Sequence, residues 1–208
     1  MCTIYLHGLG QTPASWEAVI ARLESAERSV CPDLTRLCRG KQAAYKSLYE
    51  GFSAVCSEID EPINLCGLSL GGVLALQYAV EHPEKVNSLV LIAAQYKMPK
   101  GLLKMQNVLF RFMPEAMFRQ TGFGKREFIQ LCKTMMELDF SDSLRNISCP
   151  AFIVCGERDH ANKKAAVRLA DLLQNAELKI IGGAGHEVNK EAPERLAEAL
   201  RVFYGRVQ

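Results

Sequence analysis

No apolar run in this chain is longer than the six residues Leu89–Ala94, far short of the roughly 20 that cross a bilayer. Neither sign of charge dominates. There are 25 basic and 23 acidic side chains, a net charge of +2, so no basic surface argues for nucleic acid. Low-complexity tracts and internal repeats are missing, and 49% of residues are hydrophobic, which excludes a disordered or collagen-like chain. The first residues, Met1–Gly8, have no basic n-region and no cleavage signal, so no secretory peptide is expected. The cysteines at 2, 31, 38, 56, 66, 132, 149 and 155 include no pair separated by two residues, and no Cys/His cluster has zinc-like spacing. They read as reduced thiols, several of them acting as small hydrophobes in apolar runs. Glycine patterns of the G-x-G-x-x-G or P-loop kind are also absent, so neither a metal nor any other cofactor is expected. These exclusions leave a single cytoplasmic globular domain of 208 residues with a sizeable core.

What is present is an alternation of short apolar runs with longer segments of helical spacing. Strands are predicted at Thr3–Leu6, Ser29–Cys31, Ile63–Cys66, Ser88–Ala93, Ala151–Cys155 and Leu178–Ile181. Helices are predicted over Ala14–Glu27, Ala43–Ile59, Leu70–Glu81, Lys163–Leu173 and Pro193–Val202. Strands apolar on both faces and separated by helices imply a parallel sheet covered on both sides. Right-handed crossovers then wind it into a three-layer α/β domain.

Residues 97–136 interrupt the alternation. They hold six of the seven methionines, five of the nine phenylalanines, and eight basic against two acidic residues. The segment is therefore +6 and the rest of the chain −4. Pro99, Gly101, Pro114, Gly122 and Gly124 divide it into short helical pieces. It reads as a helical lid, bounded at 97–145, inserted between the fourth and fifth strands. Its apolar residues, in particular Met98, Met105, Phe110, Met113 and Met117, are candidates for a substrate pocket, though such stripes more often form core.

Gly67-Leu68-Ser69-Leu70-Gly71 fits G-x-S-x-G between a strand and an apolar helix. A sharp turn there exposes the serine hydroxyl, and the free N–H groups of the following helix suit a developing oxyanion. A serine needs a base, and the base an orienting acid. His186, in Gly185-His186-Glu187 after the sixth strand, and Asp159, in Gly156-Glu157-Arg158-Asp159 after the fifth, both follow C-terminal strand ends, where α/β sheets place their sites. The other candidates fit less well. His82 ends a helix, His160 lacks a glycine setting, and His7 shapes a turn. Glu157 lies two residues closer to its strand, and Asp142 ends the lid. The turn after the first strand, His7-Gly8-Leu9-Gly10, offers the Leu9 N–H as a partner to the Leu70 N–H in an oxyanion hole.

These pieces, with Trp16, Pro32-Asp33-Leu34 and His82-Pro83-Glu84-Lys85-Val86, resemble the α/β-hydrolase superfamily, in particular its small carboxylesterase-like members, over nearly the whole chain. The order Ser69, Asp159, His186 is the order of that fold. The resemblance implies about six parallel strands in the order 2-1-3-4-5-6, without the N-terminal β-hairpin usual in the superfamily. One other departure is local. After Pro32-Asp33-Leu34 the chain runs Thr35-Arg36-Leu37-Cys38 instead of the usual Arg-Gly-His turn.

The expected function is hydrolysis of a carboxylic ester or thioester by a Ser69–His186–Asp159 triad through an acyl-enzyme. The alternatives are a triad-bearing lyase or C–C bond enzyme, and then a non-catalytic binding protein. An aspartate in place of Ser69 would be expected of a dehalogenase or epoxide hydrolase. The partner expected is a small molecule with an apolar acyl or aromatic group, with an anionic group as the next option. A nucleic acid partner is not expected, nor is membrane association, and the chain reads as a monomer or homodimer. For the basic lid, a solvated face comes first, an anionic substrate second and anionic lipid third.

Overall fold

The computed structural model describes residues 1–23, 28–38, 43–118 and 122–207. Six strands, β1 (Cys2–Leu6), β2 (Arg28–Val30), β3 (Ile63–Leu68), β4 (Val86–Ile92), β5 (Ala151–Gly156) and β6 (Ala176–Ile181), form one sheet. All are parallel, in the order β2-β1-β3-β4-β5-β6, as expected. Helices α1 (Glu17–Leu23), α3 (Tyr45–Ser57), α4 (Leu70–Glu81), α7 (Lys163–Leu172) and α9 (Pro193–Val207) cover its faces. The short helices of the body include α2 (Leu34–Leu37), α8 (Val188–Glu191) and 3₁₀ turns at Pro13–Trp16, Pro83–Lys85 and Leu144–Asn146.

Period-two alternation in the central strands divides the core into two layers. Leu89 and Leu91 of β4 and Ile153 and Cys155 of β5 join Leu48, Phe52, Val73, Leu74 and Leu169 on the side of α3, α4 and α7. Val90, Ile92, Phe152 and Val154, their neighbours in sequence, join Trp16, Val19, Leu196, Leu200 and Phe203 beneath α1 and α9. At the foot of the sheet the buried Asn64 is satisfied by neighbouring strands: its Oδ1 accepts from Ser88 Oγ (2.7 Å) and its Nδ2 donates to Thr3 Oγ1 (3.3 Å).

One expected element differs, and α2 was not expected. The helix foreseen over Ala14–Glu27 begins instead as a 3₁₀ turn opened by Pro13, becomes α-helical at Glu17, and its last four expected residues lie outside the described ones. The chain after Pro32 forms α2, because Asp33 caps it: the carboxylate accepts from Thr35 N (3.0 Å) and Thr35 Oγ1 (2.7 Å).

Between β4 and β5 the chain leaves the sheet and forms α5 (Lys100–Phe112) and α6 (Lys125–Met135). Pro99 starts α5 and Pro114 follows its end, as proline requires, whereas Gly101 is absorbed in the first turn. The stem is pinched by an antiparallel bridge between Lys97 and Asp139, by Met98 N to Leu138 O (3.0 Å) and by Phe140 N to Tyr96 O (2.8 Å). Above the stem Phe110, Phe118 and Phe128 pack edge to face, with centroids 5.1 to 5.9 Å apart.

Candidate active site

Ser69 stands between β3 and α4 with φ 53° and ψ −113°, a left-handed conformation that a side chain adopts only under constraint. The constraint is visible. A Cβ on Gly67 would collide with the Gly71 carbonyl, and one on Gly71 with the Leu6 carbonyl, so the turn closes only with glycine at both positions. The Ser69 N–H donates to Ile92 O of β4 (2.8 Å), which fixes the turn to the sheet. That N–H is thereby engaged, and the free donors begin with Leu70 at the N-terminus of α4.

The turn after β1 lies against this serine. A Cβ on Gly8 would sit 3.6 Å from Ser69 Cβ. Gln11 N donates to Gly8 O (3.1 Å) across central residues Leu9 and Gly10, and Gly10 has φ 89°, as a type II turn demands. The Gly8 N–H is also taken, by the Gln11 side chain (3.2 Å), so the hydrogen bonds of the turn do not use the Leu9 N–H. His7 holds the turn from behind. It is buried, its Nε2 accepts from Leu34 N (3.1 Å), and its Nδ1 therefore carries the proton and lies 2.9 Å from Gly8 O. Burial lowers its pKa from 6.5, so it stays neutral.

Asp159 and His186 meet on the loops after β5 and β6. The two loops are laced by Glu157 N to Ile181 O (2.9 Å) and Arg158 N to Ala184 O (2.8 Å). Gly156 allows this approach, since a Cβ there would strike the Gly185 carbonyl. His186 Nδ1 lies 2.8 Å from Asp159 Oδ2, with Asp159 only 5% exposed and His186 open to solvent. An ionised carboxylate is an acceptor, so Nδ1 donates and Nε2 keeps its lone pair. Burial alone would raise the Asp159 pKa, but hydrogen bonds from His186 and Asn162 outweigh it and hold the pKa below its ordinary 3.8. Among the described residues His186 makes no hydrogen bond to Ser69; such bonds often tighten only around substrate.

Several contributors carry no sequence signal. Asn162 Nδ2 reaches both Asp159 oxygens (2.9 and 2.8 Å) and its N–H reaches Oδ1 (3.2 Å), while Gln95 Nε2 donates to Asn162 Oδ1 (2.7 Å). Asn162 Nδ2 is also 3.1 Å from His186 Nδ1, but both are donors; they are close because they share Asp159. Gln11 and Asn189, both buried, pair their amides reciprocally at 3.1 Å, and Gln11 also reaches Glu187 Oε1 (2.9 Å). This network joins the turn at Leu9 to the segment that carries His186. Glu191 accepts from Gly185 N (2.8 Å) and Glu187 N (3.1 Å), and bridges to Arg158 at 3.3 Å.

The remaining candidates lie elsewhere. His160 and Asp142 are exposed, Glu157 accepts from Gly183 N (2.8 Å), and His82 is half-buried against the ring of Tyr78. Of the five insertion residues named for a pocket, Met98 is buried in the core, Phe110 and Met113 are half-buried against it, and Met105 and Met117 are exposed. Among the described residues no group of His, Cys, Asp and Glu could hold a metal ion. Six of the eight cysteines are buried, and burial raises the pKa of the Cys56 and Cys132 thiols to about 12.

Comparison with known proteins agrees with this geometry. The model of the alpha/beta hydrolase family matches residues 4–199, and the chain belongs to that family. It is 25% identical to a pimeloyl-[acyl-carrier protein] methyl ester esterase from Aeromonas hydrophila, over 97% of this chain and 94% of that protein. It is 22% identical to monoacylglycerol lipase abhd6-B from Xenopus laevis, over 99% of this chain and 75% of that protein. Among solved structures, a thermophilic esterase from Thermogutta terrifontis superposes with a TM-score of 0.83 at 20% identity, covering 100% of this chain and 90% of that one.

Proposed function

We propose that the protein is a serine hydrolase that cleaves a carboxylic ester or thioester. The observation that carries this reading is the His186–Asp159 hydrogen bond (2.8 Å) on the sheet edge where Ser69 is held at φ 53°. Esterase and lipase activity among its relatives supports it.

Ser69 Oγ attacks the carbonyl carbon and His186 Nε2 takes its proton. The negative charge that develops on the carbonyl oxygen is met by the N–H groups of Leu9 and Leu70. His186 then gives its proton to the leaving alkoxide or thiolate, which departs and leaves the acyl-enzyme. Water, deprotonated by His186, attacks the acyl carbon, and Ser69 recovers the proton. Asp159 stays ionised throughout and stabilises the imidazolium; the pKa below 3.8 suits that task. In this reading residues 97–145 act as a lid, and the half-buried Phe110 and Met113 supply its apolar wall toward an acyl or aromatic group.

The test is hydrolysis of p-nitrophenyl esters and acyl thioesters of graded chain length by the wild type and Ser69→Ala. The expected loss is on the order of 10⁴-fold or more, with an unchanged melting temperature. Equal activity in the variant would remove Ser69 from the mechanism.

A further inference from the structure

Helix α5 is apolar on two sides. Its inner side, through Leu103 and Phe110, packs toward α6 and the aromatic cluster, with the buried polar Asn107 between them. Its outer side carries Met105, Val108, Leu109 and Phe112, spaced i, i+3, i+4 and i+7, so they form one stripe. They are 57%, 52%, 57% and 84% exposed, and Met117 in the following turn is 57% exposed. These five account for most of the nine exposed large hydrophobics among the described residues. A monomer that meets only water has no use for such a cluster.

Lys104 and Arg111, one helical turn apart from Val108 on either side, border the stripe, and both are exposed. Lys100 also lies on α5 but pairs with Glu137 (2.5 Å), and Arg126 and Lys133 are exposed on the neighbouring α6. An occupant must therefore accept apolar side chains at the centre and supply negative charge around them. A second copy of this chain fails the second condition, because a two-fold contact would set one +6 segment against another. A highly acidic protein surface fails the first. Lipid with anionic headgroups meets both, with acyl chains beneath the charge. At 13 residues α5 is about 20 Å long, the right size to lie along an interface and too short to cross one.

We infer that the outer face of α5 docks on anionic lipid surfaces, with Phe112 and Leu109 inserted among the acyl chains and Lys104 and Arg111 against the headgroups. This reverses the order of preference drawn from the sequence. There the composition of the segment was visible, but the side on which each Met and Phe lies was not.

The inference does not depend on the hydrolase reading, and its test does not use catalysis. The full chain is floated with vesicles of phosphatidylcholine alone and of phosphatidylcholine mixed with phosphatidylglycerol. The wild type is expected to float with the mixed vesicles and to be released by salt. Leu109→Ser/Phe112→Ser is expected to lose binding by about tenfold or more, and Lys104→Glu/Arg111→Glu to lose the preference for phosphatidylglycerol. A Phe112→Trp variant supplies an independent signal: quenching by brominated lipid shows insertion without removing the side chain's bulk. Absence of flotation, equal flotation of the double serine variant, or a dimer in light scattering that the serine pair dissociates would each overturn the proposal.

Discussion

At the scale of single residues, the site depends on amides as much as on its titrating groups. Asn162 holds both oxygens of Asp159 and leaves Oδ2 directed at His186. Its removal frees the carboxylate to rotate and takes away one of the bonds that lowers its pKa. Asn162→Ala is expected to reduce kcat by roughly 10- to 100-fold with little change in KM, and to move the acidic limb of the pH–rate profile upward. Asn162→Asp is expected to be worse, because two carboxylates would then face each other. A change in KM alone would place Asn162 in substrate binding instead.

His7 gives a second prediction at this scale. Burial holds its folded pKa below the unfolded 6.5, so the unfolded chain binds the proton more readily. The neutral ring therefore contributes stability that is fully present above pH 6.5 and is lost as pH falls through the folded pKa. Denaturation midpoints should fall between pH 7 and pH 5, and His7→Asn should flatten that slope. An unchanged slope in the variant would mean that other groups carry the acid sensitivity.

At the scale of elements, the strand and helix order was legible because each strand of the centre is apolar on both faces and most turns are marked by glycine or proline. The G-x-S-x-G turn was legible for the same reason: Gly67 and Gly71 are required by backbone contacts that any side chain would break. What was not legible is pairing at a distance. Gln11 and Asn189 are 178 residues apart, and neither letter announces a partner. The capped helix α2 was missed because Asp33-Leu34-Thr35 reads equally as a turn. The loops after β5 and β6 yield a prediction here. Gly156→Ala would press a methyl group on the Gly185 carbonyl and separate Asp159 from His186. The variant should lose roughly 1–3 kcal/mol in urea denaturation and a larger share of its activity. A variant of full stability and activity would show that the two loops adjust freely.

At the scale of the whole molecule, a net charge of +2 conceals +6 on residues 97–136 of the insertion and −4 on the rest of the chain. Exposed charges are screened beyond about 10 Å at 0.1 M salt, so only events close to the insertion feel it. Hydrolysis of anionic esters should therefore slow as salt rises, while that of neutral esters of equal length should not. Parallel responses would mean that the charge of the insertion lies away from the path of the substrate. The parallel order β2-β1-β3-β4-β5-β6 brings the ends of β1, β3, β5 and β6 to one edge, which sets Leu9, Ser69, Asp159 and His186, distant in sequence, on the turns and loops of that edge.

The central claim is that Ser69 is a nucleophile activated by His186, and labelling by a fluorophosphonate with the modified peptide mapped by mass spectrometry tests it most directly. The account predicts one label per chain, on Ser69, formed far more slowly in His186→Ala and not at all in Ser69→Ala. A folded wild-type protein that takes no label, or takes it on another residue, would contradict it.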